Sequence, residues 1–335
     1  MKALVLAGGF GTRLRPLTYT RPKHLLPIAN RPHIEHVFDL LLAHGIREVV
    51  LLTSYLADAF TGAIATAQER GLEVSVAYEQ APLGTAGALK NAQELVGDGT
   101  FLAFNGDILT DLDLDAVLNF HRGRGAEATI VLTPVDDPSA FGVVPTAADG
   151  RVLGFIEKPP PGQAPTNLIN AGVYVFEPQV LERIPAGQVY SAERELFPGM
   201  VAQGARLFAL PTDAYWIDIG TPEKFLQANL DAVEGRYRTS AVARPGPGMV
   251  LADAGAQIAP GARVSSACLG ADSSIGPGAV VERSVLLPGA QVGAGAVVRG
   301  SSLGEGALVE AGVLVENRAV GDHETVAVPS EARRV

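Results

Sequence analysis

The C-terminal part of the chain carries an apolar residue at every fifth or sixth position. Gly and Ala fill most of the intervals, as in Ile275-Gly-Pro-Gly-Ala and Val292-Gly-Ala-Gly-Ala. The apolar positions are Ile258, Val264, Leu269, Ile275, Val281, Leu286, Val292, Val298, Leu303, Val309 and Val315. An α-helix needs a period of about 3.6 residues and a flat strand a period of about 2, so neither fits. A hexapeptide period predicts a β-helix, in which each short strand forms one face of a coil.

This tail resembles the hexapeptide-repeat, left-handed β-helices. Three repeats would make one coil, so we expect roughly three coils. A flexible Gly- and Ala-rich tail is the alternative, but it would not keep Ile, Leu and Val in phase. A β-helix that transfers acyl groups is another alternative. It would be expected to need a His base in the coils, and the tail has only His323, beyond the last clear repeat. We therefore expect an oligomerisation scaffold that joins subunits into a homo-oligomer, a dimer or a tetramer.

The composition changes near residue 240. All the aromatic residues (12 Phe, 7 Tyr and 1 Trp) lie before this point, and residues 241–335 contain no lysine either. The segment Ala243-Arg-Pro245-Gly-Pro247-Gly supplies a plausible linker, because Pro and Gly stop regular structure. The sequence therefore predicts two domains, residues 1–240 and 241–335.

Before this boundary, apolar runs alternate with helical patterns. Strands are predicted over residues 3–6, 48–53, 74–78, 101–104, 128–132 and 152–156, and helices over 34–42, 57–70 and 112–121. Continuous apolar strands separated by helices predict an α/β fold with a mostly parallel, Rossmann-like sheet and helices on both faces. The short left-handed β-helix follows it. Ligands of such sheets bind beyond the carboxyl ends of the strands.

Charge and cysteine content argue against several classes of protein. The net charge of −10 argues against a broad nucleic-acid surface. One cysteine, Cys268, cannot form an intramolecular disulfide, which favours a reducing compartment.

The chain lacks a run of the roughly 20 apolar residues that a membrane span needs. The apolar start is interrupted at once by Gly8 and Gly9, so it does not resemble a signal peptide. We expect a cytoplasmic protein with no nucleic-acid or membrane partner.

A glycine-rich loop follows the first predicted strand. Gly8, Gly9 and Gly11 would let backbone N–H groups approach a phosphate closely. The loop is not a Walker A motif, since no Gly-Lys-Ser/Thr follows at the required spacing, and Leu14 replaces the third glycine of a dinucleotide fingerprint. Taken alone, the glycines are equally compatible with a tight turn.

The continuation of this loop carries a resemblance to a known family. Gly-Gly-x-Gly-Thr-Arg-Leu-x-Pro-Leu-Thr from Gly8, followed by Pro22-Lys23, resembles the signature of the sugar-1-phosphate nucleotidyltransferases, also called nucleotide-sugar pyrophosphorylases. Further blocks resemble the family in the same order, and the resemblance covers about residues 1–230. They begin at Pro82 (Pro-Leu-Gly-Thr-Ala-Gly), Phe104 (Phe-Asn-Gly-Asp), Phe141 (Phe-Gly-Val-Val), Glu157 (Glu-Lys-Pro), Asn170 (Asn-Ala-Gly-Val-Tyr) and Trp216 (Trp-Ile-Asp-Ile-Gly-Thr-Pro).

The resemblance implies an enzyme that joins a sugar 1-phosphate to a nucleoside triphosphate and releases pyrophosphate. Arg13, Lys23 and Asp107 would be catalytic, because the reaction must neutralise two anions and stabilise its transition state. Asp107 and Asp218 would hold Mg²⁺, which prefers carboxylate and phosphate oxygens. The expected nucleotide-binding residues are Leu6, Ala7, Gly8, Gly9, Gly11, Thr12, Arg13, Lys23, Glu79, Gly84 and Thr85. The expected sugar-phosphate-binding residues are Gly142, Glu157, Lys158, Asn170 and Gly172.

Glu79 bears on the choice of base. An ionised carboxylate can only accept hydrogen bonds, and guanine presents two adjacent donors, N1–H and N2–H₂. We therefore expect GTP as the nucleotide. Within the family that the chain resembles, the activity that we expect first is transfer to mannose 1-phosphate. A glucose-1-phosphate thymidylyl- or uridylyltransferase is the alternative, and Gln80 could read the base instead of Glu79.

A non-catalytic regulatory paralogue remains a further alternative. Such a protein should have lost at least one of four residues, Arg13, Lys23, Asp107 and Asp218, and all four are present.

Overall fold

The computed structural model describes residues 1–54 and 56–327. Packing divides the chain into two compact units. The sheet unit contains Met1–Gly9 and Val37–Trp216, and the coil unit contains Phe10–His36 and the chain from Ile217 onward. Because these units are interleaved along the chain, they do not follow the boundary between residues 240 and 241. That domain boundary stays a prediction.

The first part of the chain alternates strands and helices. Its strands are β1 (Lys2–Leu6), β2 (Pro27–Ile28), β3 (Arg31–Pro32), β4 (Glu48–Thr53), β5 (Glu73–Tyr78), β6 (Phe101–Asn105), β7 (Ile108–Thr110), β8 (Ala128–Pro134), β9 (Gly142–Val143), β10 (Ile156–Glu157), β11 (Leu168–Phe176), β12 (Leu207–Pro211) and β13 (Trp216–Asp218). Its α-helices are α1 (His33–Ala43), α2 (Thr61–Glu69), α3 (Gly84–Asn91), α4 (Gln93–Val96), α5 (Leu114–Arg124), α6 (Phe197–Ala202) and α7 (Pro222–Glu234).

The sheet unit is built on a nine-stranded mixed sheet with the order β10-β9-β11-β6-β1-β4-β5, and β8 joins β11 to β12. Strands β6, β1, β4 and β5 run parallel, whereas β11 is antiparallel to both β6 and β8. The middle of β1, residues 3–5, is completely buried, as its continuous apolar sequence predicts for a central parallel strand. The predicted Rossmann-like α/β fold is confirmed, with antiparallel strands added on one side.

Two predicted elements of the sheet unit differ from the structure. The predicted helix over residues 57–70 begins as a 3₁₀ turn, Ala57–Phe60, before α2. The predicted strand over 152–156 is wrong: Val152 forms only an isolated bridge, with Thr146, and the regular strand is β10. The reason is local, since Leu153 N–H donates to the carbonyl oxygen of Pro145 (2.9 Å) and Gly154 follows it. Glu157 is therefore the last residue of β10, at the end of a strand as predicted, although that strand is shorter.

The tail of the coil unit is a stack of short parallel strands. They are β14 (Val250–Ala252), β15 (Gln257–Ile258), β16 (Arg263–Leu269), β17 (Ser274–Ile275), β18 (Val280–Leu286), β19 (Gln291–Val292), β20 (Val297–Arg299), β21 (Ser302–Leu303), β22 (Leu308–Val309), β23 (Leu314–Glu316), β24 (Ala319–Val320) and β25 (Thr325–Val326). Hydrogen bonds such as that from Ser301 N–H to Ser284 Oγ join residues 17 apart. One coil therefore takes two steps of six residues and one of five.

The apolar repeat forms the interior of this β-helix. Ten of its eleven positions pack inward in one cluster, and most of these are fully buried, whereas Ile258 at the first rung is 46% exposed. One face is a five-stranded sheet of β15, β17, β19, β22 and β25. The stack is therefore longer than the roughly three coils expected, because β25 lies beyond the last clear repeat at Val315.

Segment Phe10–His36 belongs to the coil unit although it precedes the tail by about 200 residues. Asn30 Nδ2 donates to the carbonyl oxygen of Leu269 in β16 (2.9 Å), and Ala29 N–H donates to Asn229 Oδ1 in α7 (2.8 Å). The segment is thus packed against the first coils and the last helix. Among residues 1–54 and 56–327, no helix is both long and apolar enough to cross a membrane.

Candidate active site

The glycine loop leaves the carboxyl end of the central strand of the sheet unit. Leu6, the last residue of β1, lies in register with Leu52 of β4 and Asn105 of β6. Ala7 N–H continues the pattern by donating to the carbonyl oxygen of Leu52 (2.7 Å). Gly8 and the exposed Gly9 follow. The first half of the loop therefore lies where ligands of parallel sheets bind.

Glu79, the residue after β5, lies against this loop. A Cβ built on Gly8 would lie 3.3 Å from Glu79 Oε2 and 3.0 Å from Ser54 Oγ, so Gly8 leaves room for both side chains. Glu79 is only 6% exposed, and its Oε1 has no hydrogen-bond partner among residues 1–54 and 56–327. Gln80 is exposed. Burial raises the pKa of the Glu79 carboxyl. A buried acceptor without a donor is rare, and it marks Glu79 as a group that a ligand could satisfy.

Gly84 and Thr85 begin α3, where they make internal contacts. Gly84 has φ +74°, and a Cβ there would lie 2.9 Å from the carbonyl oxygen of Tyr190. Thr85 Oγ1 donates to Glu193 Oε2 (2.7 Å) and accepts from Ala192 N–H (2.8 Å). The backbone amides of residues 86 and 87 donate to the same Tyr190 oxygen. This helix start is therefore closed by residues 190–193, and a nucleotide-binding role for Gly84 and Thr85 stays a prediction.

Asp107 lies in the turn between β6 and β7, near Tyr174 of β11. Complete burial raises the pKa of the Tyr174 phenol well above its ordinary value, and the charges of Glu193 and Asp107 raise it further. The Tyr174 hydroxyl accepts a hydrogen bond from Asn170 Nδ2 (2.7 Å). Tyr174 was not singled out from the sequence, although it ends the block that begins at Asn170.

A break in the register of β11 shapes this corner. The pairing of β11 with β8 shifts between Asn170 and Tyr174. There Gly172 has φ +72°, its N–H donates to Asn170 Oδ1 (3.0 Å), and a Cβ would lie 2.8 Å from Asn105 Nδ2. The structure therefore brings Asn170, Gly172 and Asn105 together at the end of β6, two residues before Asp107.

Glu157, Lys158 and Gly142 lie on the short β9–β10 pair. Glu157 is in register with Gly142, and a Cβ on Gly142 would lie 2.6 Å from the Phe155 ring and 3.0 Å from Glu157 Oε2. Gly142 thus makes room for two side chains of the protein itself. Lys158, with φ +50°, is exposed, and its Nζ lies 3.8 Å from Glu157 Oε1. Trp216 Nε1 donates to the carbonyl oxygen of Ala171 (2.8 Å), which fits packing rather than stacking on a ligand.

The second half of the glycine loop belongs to the coil unit. Gly11 has φ +62°, and a Cβ there would lie 3.2 Å from Lys23 Cβ. Thr18 Oγ1 donates to the carbonyl oxygen of Gly11 (2.7 Å). Thr12 and Arg13 are exposed in a 3₁₀ turn, Thr12–Leu14, and Lys23 begins another, Lys23–Leu25. The second half of the predicted loop and Lys23 are therefore brought together.

Asp218 lies between two cationic side chains of the coil unit. A Cβ on Gly220 would lie 2.9 Å from Asp218 Oδ2 and 3.0 Å from Arg13 Nη2, so both groups flank the same glycine. Lys224 Nζ forms an ion pair with Asp218 Oδ1. Lys224 lies in the first turn of α7, where Thr221 Oγ1 accepts from its N–H. The sequence did not predict Lys224 because the pair depends on how α7 meets β13.

A second cluster of acidic side chains is not assigned as a metal site. The ligand atoms of His44, Asp113 and Asp115 lie within 4.8 Å of one another. Asp113, however, caps α5 by accepting from Ala116 N–H (3.0 Å), and His44 Nδ1 lies 3.0 Å from Asp115 Oδ2. Both acids are exposed. This is the ordinary acidity of a helix N-terminus.

Comparisons with known proteins identify the family. Residues 2–235 match a family described as Nucleotidyl transferase, and residues 247–332 match one described as GMPPB C-terminal domain. The chain belongs to the nucleotidyl transferase family. One relative, the mannose-1-phosphate guanylyltransferase of Mycobacterium tuberculosis, is 42% identical over 261 residues, 78% of this chain and 72% of the relative. Another, the UTP–glucose-1-phosphate uridylyltransferase of Synechocystis, is 39% identical over 241 residues, 68% of this chain and 62% of the relative.

A solved structure has a similar fold. The crystal structure of HddC from Yersinia pseudotuberculosis complexed with GMP-PN has a TM-score of 0.60 and 29% identity, and it covers 68% of this chain and 97% of that chain. Nucleotidyltransferases of this family generally use a divalent metal. Asp107 and Asp218 are half-buried carboxylates, the oxygen donors that Mg²⁺ prefers. The Asp218 carboxylate lies beside Lys224 and Arg13, whereas a role of Asp107 and Asp218 as metal ligands stays a prediction.

Proposed function

We propose that this nucleotidyltransferase transfers a guanylyl group from GTP to mannose 1-phosphate, giving GDP-mannose and pyrophosphate. The observation that carries the proposal is the buried carboxylate of Glu79, which lies beside Gly8 and has one oxygen without a donor. The relative from M. tuberculosis is named for the same reaction, and the similar HddC structure is described as complexed with GMP-PN.

The choice of base follows from hydrogen-bond chemistry. Guanine offers the adjacent donors N1–H and N2–H₂, which match the two oxygens of a carboxylate. Thymine and uracil offer one donor, N3–H, flanked by carbonyl oxygens, so one carboxylate oxygen would face an acceptor. Such a mismatch in a desolvated pocket costs about 1–3 kcal/mol. Gln80 is exposed and Glu79 is buried, which favours Glu79 over its neighbour as the group that reads the base.

The reaction needs positioning and charge neutralisation rather than a covalent intermediate. An oxygen of the sugar 1-phosphate attacks the α-phosphorus of GTP in line, the bond from α-phosphorus to the bridging oxygen breaks, and pyrophosphate leaves. Arg13 and Lys23 neutralise the triphosphate and the charge that develops on pyrophosphate. Asp107 and Asp218 would hold Mg²⁺, which when bound shields the phosphate oxygens. Asp218 would exchange part of its contact with Lys224 for the metal.

The sugar phosphate would bind in the sheet unit, at the β9–β10 pair and at Asn170 of β11. Glu157 accepts from sugar hydroxyls and the exposed Lys158 binds the phosphate. Asn170 and the backbone at Gly172 complete this sugar site next to Asp107. The close contact of Gly142 with Phe155 supports an indirect role for Gly142, because the glycine lets β10 bring Glu157 into place.

A panel of substrates tests the proposal. kcat/KM is measured by pyrophosphate release for GTP, dTTP and UTP, each with mannose 1-phosphate and glucose 1-phosphate, on the natural chain and on Glu79→Gln. We expect GTP with mannose 1-phosphate to be preferred, and the preference for GTP to fall by about 10-fold or more in Glu79→Gln. Gln80→Glu serves as the matched control and should leave the preference unchanged. A preference of the natural chain for dTTP or UTP would overturn the guanylyl assignment.

Assembly and location are part of the same proposal. A homo-oligomer formed through the β-helix is supported by the end strand β15, which pairs only with β17 among residues 1–54 and 56–327, since unpaired strand edges favour association. A cytoplasmic location is supported by the single cysteine, Cys268, because one cysteine cannot form an intramolecular disulfide, which favours a reducing compartment.

A further inference from the structure

An arginine next to the proposed catalytic lysine is bound by the last coils of the β-helix. Arg21 Nη2 lies 2.6 Å from Glu305 Oε2 and 2.9 Å from Asp322 Oδ2. Glu305 follows β21 and Asp322 follows β24, and Glu305 N–H donates to Asp322 Oδ1 across 17 residues (2.7 Å). The two acids therefore stack on neighbouring coils, and one guanidinium spans both.

This ion pair is partly withdrawn from water. The side chain of Asp322 is 5% exposed and that of Arg21 is 20% exposed, whereas Glu305 is 45% exposed. Thr20 Oγ1 also donates to Asp322 Oδ2. A charged hydrogen bond with a buried acceptor is stronger than a surface ion pair, and removing one partner leaves the other charge uncompensated. The contact therefore restrains the position of the Arg21 side chain.

The loop that it holds carries Lys23. Only Pro22 separates Arg21 from Lys23, and Pro22 has its φ fixed near −59° and precedes the 3₁₀ turn at Lys23–Leu25. Leu25 N–H donates to the carbonyl oxygen of Pro22 (3.0 Å). A displacement of Arg21 is therefore passed on to the backbone of Lys23, and through the close contact of Gly11 with Lys23 Cβ to the glycine loop.

We propose that Arg21 is a positioning residue through which the last coils of the β-helix fix Lys23 for the reaction. The tail then contributes to turnover in each subunit, in addition to its proposed role in assembly. This inference rests on the proposed role of Lys23 in phosphate binding. Arg21 itself is bound to two acids of the tail and is not assigned to the substrates.

The first test separates kcat from KM. Arg21→Met removes the charge, Arg21→Lys keeps it, and Asp322→Asn weakens the same contact from the other side. Arg283→Met is the matched control, because Arg283 Nη1 forms an ion pair with Glu234 (2.9 Å) in the same unit, and neither residue belongs to segment 10–36. We expect Arg21→Met to lower kcat by about 10- to 100-fold, as misplacement of a catalytic group does. Arg21→Lys should recover part of the loss, and the control should keep natural kcat.

Coupling between the partners gives a second criterion. If Arg21 acts through Asp322, the double variant Arg21→Met/Asp322→Asn should lose no more activity than Arg21→Met alone. Losses of activity that multiply in the double variant would overturn the proposal, because they would mean that Arg21 and Asp322 act independently. Each variant is compared at equal folded fraction, measured by circular dichroism.

Hydrogen exchange tests, without a measurement of activity, whether the contact of Arg21 with Glu305 and Asp322 orders the loop. We call this contact the tether. Mass spectrometry should show faster amide exchange over residues 20–26 in Arg21→Met and in Asp322→Asn, and unchanged exchange there in Arg283→Met. Unchanged exchange in both tether variants would overturn the proposal. A separate Lys23→Met variant keeps the two ideas apart: if it retains natural turnover, the proposed role of Lys23 fails, whereas the exchange data still decide whether Arg21 orders the loop.

Discussion

At the scale of single residues, Glu79 combines a functional role with an energetic cost. Its carboxyl is buried against Gly8 with one oxygen unpartnered, and an unsatisfied buried acceptor costs about 1–3 kcal/mol. We expect Glu79→Gln to raise the free energy of unfolding of the ligand-free protein at neutral pH by about 1 kcal/mol, because the amide keeps the shape of the side chain and removes the buried charge. The same variant should lose its preference for GTP.

The stabilisation by Glu79→Gln should depend on pH, and the sign of this dependence follows from the raised pKa of the Glu79 carboxyl. Burial raises the folded-state pKa of Glu79 above its unfolded value, so the folded state binds more protons over the interval between the two. The natural chain therefore loses stability as pH rises through this interval, and the variant does not. Thermal unfolding at pH 7.5 and pH 4 checks this: the stabilisation by Glu79→Gln should be present at the higher pH and small at the lower one. An equal gain at both values would contradict the assignment to Glu79.

A second residue-scale prediction concerns Lys224. Its ion pair with Asp218 must weaken before a metal can use that carboxylate, so Lys224 competes with the cation. Because Lys224 is 35% exposed, the competition is modest. We expect Lys224→Met to lower the Kd for Mn²⁺, measured by isothermal titration calorimetry, by about twofold to fivefold. Lys2→Met, which removes another partly exposed pair at Glu48, serves as the control. A weaker affinity for Mn²⁺ in Lys224→Met would show instead that Lys224 helps to hold Asp218 in place.

At the scale of elements, the predictions that succeeded best were those of the repeated coils of the tail and of the continuous apolar strands of the sheet. The apolar repeat of the tail is confirmed because each coil places the same position in the same interior, from Leu269 to Val315. The central strands β1 and β6 are confirmed because their apolar runs are buried on both faces. The strand over 152–156 was wrong because its apolar residues are drawn to separate partners, Val152 to a bridge and Phe155 to the ring of Phe197. Thr146, the bridge partner of Val152, is six residues away, whereas Phe197 is distant in sequence, and the apolar run alone reports neither contact.

Corner glycines give a prediction for the β-helix. A Cβ on Gly293 would lie 2.5 Å from the backbone nitrogen of Ala311 in the next coil, and backbone cannot move aside as a flexible side chain can. We expect Gly293→Ala to lower the free energy of unfolding by about 1–3 kcal/mol, the range for overpacking. Gly246→Ala is the matched control, since nothing lies within 4 Å of its Cβ position. Urea denaturation compares the two, and equal midpoints would contradict close coil stacking at Gly293.

At the scale of the whole molecule, two compositions do not mean two independent halves. The shift in composition near residue 240 is real, yet segment Phe10–His36 packs with the tail in the coil unit. The sequence marks the loop motif through its glycines and Lys23. It does not mark the contacts of Arg21 with Glu305 and Asp322, because isolated charges on a surface look alike in a sequence. Lys224 was not predicted because its ion pair with Asp218 depends on how α7 meets β13.

Assembly gives the last prediction, and it belongs to the end of the coil stack. β15 is an end strand of the five-stranded face, and its Ile258 is the repeat residue that stays 46% exposed while the others face the interior. An apolar side chain on an end rung with an unpaired edge favours contact with another subunit. We expect the full chain to be a dimer or larger by light scattering, and Ile258→Lys to lower the subunit number while kcat per subunit is kept. Leu153→Lys, a change at a residue that is 59% exposed in the sheet unit, should leave the subunit number unchanged. A monomeric full chain would contradict assembly through the tail, and an unchanged oligomer in Ile258→Lys would move the interface away from this end of the stack.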